Sequence, residues 1–90
     1  MIEPAMAVDE LTPLGFRVFC SWESWQRIAT IKHPAILNKL EEVRRTLREP
    51  VAVCRSVGDP NVVLFYSQVE PRLICAVVKR ANDSGYLITA

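Results

Sequence analysis

Residues 51 to 90 read VAVCRSVGDPNVVLFYSQVEPRLICAVVKRANDSGYLITA, and the way this stretch divides into runs decides the fold. β-Branched and aromatic residues fill "VAVCRS", "VVLFYSQV", "RLICAVVK" and "YLITA", and turn-forming residues separate the runs. Gly58, Asp59, Pro60 and Asn61 make the first reversal, Glu70 and Pro71 the second, and Asn82 to Gly85 the third. Such short interruptions join neighbours in a meander, so four antiparallel strands are expected. Alternation at period two puts Arg55, Tyr66, Gln68 and Lys79 on outward faces, with Thr89 on the last strand. Val62, Leu64, Leu73 and Val77 share those faces, which makes the outward side half apolar.

Upstream of Pro50 the texture is helical. Along "PAILNKLEEVRRTLRE" (34–49), Ile36, Leu40, Val43 and Leu47 fall on one side at about 100° per residue, and Glu41, Arg45 and Arg48 point away. Glu41 and Arg45 stand at the i,i+4 spacing of a favourable pair. Pro34 suits the first turn of this helix, and His33 lies at or beside its N-cap. A preceding helix is expected over "WESWQRIATIK" (22–32), capped by Ser21, with Trp22, Trp25, Ile28 and Ala29 on its apolar side. Before it, "GFRVFCS" alternates as a short strand, with Phe16, Val18 and Cys20 on one side and Arg17 and Phe19 on the other. Residues 1–12 show no period and read as a flexible leader ahead of one domain over 13–90. The expected fold is α+β: an N-terminal strand, then two helices on one face of a four- to five-stranded antiparallel sheet. The other face is left open.

Ninety residues suffice for one core. Hydrophobic residues make up 50% and charged residues 23%, which excludes a disordered or fibrous chain. No run approaches the roughly 18 apolar residues of a membrane span. The acidic N-terminal region lacks the pattern of a secretory leader, so a cytoplasmic protein is expected. Cys20, Cys54 and Cys75 are too far apart for a CxxC motif and odd in number, and they read as small hydrophobes. A formal charge of +1 requires any anion-binding surface to be local.

Chemistry has few places to reside. His33 titrates near neutral pH and stands where a helix start favours phosphate; it serves equally as a plain cap. Lys79 and Arg80 close an apolar strand, where a cation stabilises a phosphorane-like transition state or is merely solvated. Tyr66 and Thr89 offer hydroxyls, although both residue types also suit a pleated surface. Lys32, Lys39, Arg44, Arg45, Arg48 and Arg55 outnumber the acids between positions 32 and 56, a stripe that binds a phosphate backbone or simply faces water. Trp22 and Trp25 have stacking faces and core spacing alike. Neither a glycine-rich phosphate loop nor a metal-ligand cluster is visible, so no cofactor and no metal are expected.

Taken in order, "WQRIATIKHPAILNKLEEVRRTLREPVAV", "DPNVVLFYS", "LICAVVKR" and "YLITA" resemble the small nuclease domains of the barnase, EndoU, colicin and RelE-like superfamily. The resemblance covers about residues 22 to 90. It implies a metal-independent endoribonuclease of phage or toxin–antitoxin context, acting from the open face of the sheet, with RNA as substrate and an antitoxin or a second copy as protein partner. Carried over by position, His33 is the general acid or base, Lys79 steadies the phosphate and Thr89 supplies the hydroxyl of the final strand. Arg55, Tyr66 and Arg45 line the RNA path. The sequence stops at Ala90 where such domains continue, which brings a second expectation: a degenerate nuclease or noncatalytic interaction module on the same fold.

Overall fold

The computed structural model describes residues 5–32, 38–69 and 72–90. Its centre is one six-stranded sheet in the order β1-β2-β6-β5-β4-β3. The strands are β1 Val8–Leu11, β2 Arg17–Cys20, β3 Ala52–Arg55, β4 Val62–Val69, β5 Arg72–Ala81 and β6 Ser84–Thr89. From β3 to β6 the chain forms the expected meander, with Cys54 opposite Leu64, Phe65 opposite Ala76 and Val78 opposite Leu87. A bulge falls between Val77 and Val78, which face Thr89 and Leu87, so Ile88 is the extra residue of β6. Asn82 takes a left-handed φ of 56° in the two-residue loop between Ala81 and Ser84, a conformation that asparagine tolerates well.

Three features differ from the sequence reading. The sheet has six strands instead of four or five. It is mixed, because β2 runs parallel to β6 with Val18 opposite Gly85. The extra strand, β1, lies inside the stretch read as a leader and pairs antiparallel with β2, Val8 facing Cys20. What orders it comes from far along the chain: Arg44 Nε donates to the Ala7 carbonyl at 2.8 Å, and Arg48 pairs with Glu10 at 3.0 Å. The β1–β2 turn is closed by Thr12, whose N–H and hydroxyl both donate to the Phe16 carbonyl at 3.0 and 2.9 Å.

Helix α1, Trp22–Arg27, begins at Ser21, whose hydroxyl accepts the Ser24 N–H at 3.1 Å. It runs on as a π-helical stretch, Ile28–Lys32, that packs against β6. Helix α2, Leu40–Arg48, presents Val43, Thr46 and Leu47 to the core. The Thr46 hydroxyl is satisfied within the helix, donating to the Glu42 carbonyl at 2.7 Å, which lets a polar residue be fully buried. The expected helix start at Pro34 lies outside the described residues, but Asn38 and Lys39 are described and not helical, so the helix read over 34–49 is shorter than expected. The outer side of α2 is laced differently from expectation: Glu41 pairs with Arg44 and Arg48, and Arg45 pairs with Glu49.

Both helical segments cover one side of the sheet. Between them and the strands lie Val8, Phe16, Val18, Cys20, Trp25, Ile28, Ala29, Val43, Leu47, Phe65, Ile74, Ala76, Val78 and Leu87, all buried. Gly85 belongs to this layer, and its lack of a side chain is what admits Phe16: a Cβ there would stand 2.8 Å from Val78 Cγ1 and 3.0 Å from Phe16 Cε2. The Phe16 ring meets Phe65 edge-on, with centroids 6.4 Å apart.

Candidate functional site

The side of the sheet that no described helix covers collects most of the residues with chemistry. Register places Phe19 of β2 beside Tyr86 of β6, Tyr86 beside Lys79 of β5, and Lys79 beside Val62 of β4. A neighbouring row carries Thr89, Val77, Leu64 and Cys54, and a further one Cys75, Tyr66 and Ala52. For β2 to β5 and Tyr86 this follows from period-two alternation on strands whose other set is packed under the helices; Thr89 reaches this side only because the bulge at Ile88 breaks the alternation after Leu87. The face is broadly apolar with aromatic and polar insertions. Leu73 (63% exposed), Leu11 (53%) and Tyr86 (47%) stand out of it.

Lys79 does not stand free: its ammonium pairs with the Asp59 carboxylate. Asp59 sits in the β3–β4 turn, where its other oxygen accepts the Asn61 N–H at 2.9 Å and its carbonyl accepts the Val62 N–H at 3.0 Å. The hydrogen bond from Lys79, joined by that from Asn61, holds the Asp59 carboxyl below the usual carboxylate range. Tyr66 lies directly opposite Cys75 across the β4–β5 ladder. Repulsion from a Cys75 thiolate pushes the Tyr66 phenol up, and burial pushes the Cys75 thiol up, so both are protonated at neutral pH. Thr89 lies opposite Val77, yet its hydroxyl is enclosed and has no hydrogen-bond partner among the described residues.

Of the six residues singled out from the sequence, Lys79, Thr89 and Tyr66 fall on one face. Arg55 does not join them. It lies opposite Val63 on the helix side of the sheet, because the alternation of β3 is set by its pairing with β4 and Val63 is a core residue. Arg45 is also on the helix side, on the outer surface of α2 and ion-paired with Glu49 at 3.5 Å. The basic stripe is largely neutralised in the same way, since Arg44 and Arg48 also have carboxylate partners. His33 lies outside the described residues.

The sequence reading missed Phe19, Tyr86 and Asp59. Tyr86 was within reach, being one step from Leu87 in an alternating strand. Phe19 was not, because its place beside Tyr86 depends on pairing the second strand with the last. Among the described residues no cluster of three or more His, Cys, Asp or Glu side chains is placed to hold a metal ion, and no described helix is long and apolar enough to cross a membrane.

No protein-family model, curated protein or solved structure matches the chain.

Proposed function

We propose that the domain is a metal-independent endoribonuclease of the RelE-like type that works on the open face of its sheet. The observation that carries the reading is the gathering of Lys79, Thr89 and Tyr66 on that face, next to Phe19 and Tyr86. Aromatic rings on an exposed sheet give bases a surface to stack on, and a lysine among them meets the phosphate. In such a reaction the ribose 2′-hydroxyl attacks the adjacent phosphorus and the bond to the 5′-oxygen breaks. A base takes the hydroxyl proton and an acid protonates the leaving oxygen, leaving a cyclic phosphate and a 5′-hydroxyl. His33 is assigned one of these proton transfers, worth about 10² to 10⁴-fold. Lys79 neutralises the gathering charge, which requires that phosphate displace Asp59. The toxin context adds an antitoxin protein, for which Leu11 and Leu73 are apolar anchors.

The test is incubation of the purified protein with RNA in chelator. Cyclic-phosphate ends should appear, and His33→Ala should reduce them at least a hundredfold. RNA left intact from about pH 5 to 8 would overturn the assignment.

A second reading, a degenerate nuclease that serves as a noncatalytic interaction module, is supported by the enclosed Thr89 hydroxyl and the Asp59–Lys79 pair. It predicts RNA or protein binding without cleavage, unchanged in His33→Ala, or self-association by the exposed apolar face, visible as particle size in solution.

A further inference from the structure

On the helix side of the sheet, where the described helices leave the β3 edge bare, lies a concavity of about 650 Å³ whose wall includes Leu14, Val53, Arg55, Asn61, Val63, Arg80 and Asn82. Its charge is one-sided. Two of its lining residues are arginines, none is acidic, and neither arginine forms an ion pair among the described residues. Of the six other arginines all but Arg72 have carboxylate partners among the described residues, so an unpaired couple sharing one hollow is a departure from the pattern of this surface. Arg80 is also held in place: its guanidinium lies 4.6 Å from the centre of the Phe16 ring, which reduces the rotamer freedom lost when it binds something.

The rest of the wall is suited to an uncharged, flat body. Val53 remains 37% exposed although it faces the core side opposite Phe65, and Leu14 stands across as an exposed apolar residue. Asn61 and Asn82 add amides that both donate and accept. We propose that this concavity binds a mononucleotide, with its phosphate between the Arg55 and Arg80 guanidiniums and its base against Val53, Val63 and Leu14. Guanidinium forks match phosphate oxygens in pairs, whereas the apolar wall and the amides select for what the phosphate is attached to. The site lies on the side of the sheet away from Lys79 and Tyr66, so it is independent of the ribonuclease reading.

The probes are adenosine monophosphate, adenosine and inorganic phosphate, each titrated into the intact chain without RNA and followed by calorimetry or amide chemical shifts. Adenosine monophosphate should saturate the site, bind more tightly than either component and weaken as salt rises. Arg55→Gln and Arg80→Gln should each weaken it about tenfold or more, as expected for one charged hydrogen-bonding partner. Arg80→Lys keeps a cation over Phe16 but loses the fork; its affinity should fall between wild type and Arg80→Gln, at unchanged thermal stability. The proposal is overturned by absence of saturation at millimolar nucleotide, by inorganic phosphate binding as tightly as the nucleotide, or by affinity that survives both arginine-to-glutamine changes in folded protein. Because no RNA is present, none of these outcomes bears on cleavage.

Discussion

The two sides of the sheet use the same strands in opposite ways. On β6, Leu87 is buried under the helices while its neighbour Tyr86 is 47% exposed on the other side. On β4, Phe65 is fully buried and Tyr66 is half-buried beside Cys75. The helix side is closed by aliphatic packing, with Gly85 as the point where a ring passes over bare backbone. The open side keeps an ammonium, a guanidinium, two carboxylates, two phenols and two thiols among its apolar residues, with Arg17 paired to Asp9 at 2.8 Å. The contrast teaches that stability and chemistry have been separated onto alternate residues of each strand, so single substitutions should affect one and spare the other.

The largest effect should come from Phe65→Ala. Removing a fully buried ring from the centre of the sheet should cost about 3–5 kcal/mol, measured by denaturant unfolding; a cost under 1 kcal/mol would mean that the helix side is not the sole core. Gly85→Ala comes next. The added methyl meets Val78 and Phe16 at 2.8 and 3.0 Å, and overpacking of this kind costs about 1–3 kcal/mol. Ser21→Ala removes the cap of α1 and should cost about 1 kcal/mol, with the loss confined to helix-side stability.

On the open side, Tyr86→Ala should leave stability within about 0.5 kcal/mol of wild type, and under the proposed function it should lower affinity for single-stranded RNA about tenfold. Equal losses of both would erase the division between the faces. Thiol alkylation gives a finer gradation. Cys54 is exposed and should react first and Cys75 next. Cys20, whose thiol burial pushes up to about 11, should react last in native protein.

The smallest effect belongs to Asp59→Asn. The Asp59 carboxyl is held below its ordinary value of 3.8, so the stability it contributes is present above that pH and is lost as pH falls through the folded value. Thermal unfolding of wild type and Asp59→Asn should therefore differ slightly at pH 7 and converge in strong acid. The asparagine keeps the acceptor for Asn61 and frees Lys79, so under the proposed function RNA binding should rise, not fall.

Much of this division is written in local residues. The meander could be read from β-branched runs and turn residues because each of its pairings joins neighbours in the chain. Ser21 and the apolar side of α2 were legible for the same reason. Where expectation and structure part, the contacts are long-range. Strand β1 has no periodic signature of its own; besides its ladder with β2 it is held by Arg44 and Arg48, more than thirty residues away. Arg55 went to the unexpected side because the alternation within β3 alone does not say which set meets the core.

The sequence by itself determined that an α+β domain forms and that β3 to β6 follow one another as a meander, since extended periodicity and turn chemistry are properties of adjacent residues; the bulge that turns Thr89 away from Leu87 was not legible in it. Only the tertiary structure decided that the second strand lies parallel to the last, that a first strand closes the edge, and that Phe19, Tyr86 and Lys79 form one row. The first of these pairs Val18 with Gly85, 67 residues further on, and brings Phe19 into the row; at that separation no local preference acts, and the joint burial of both partners settles the choice.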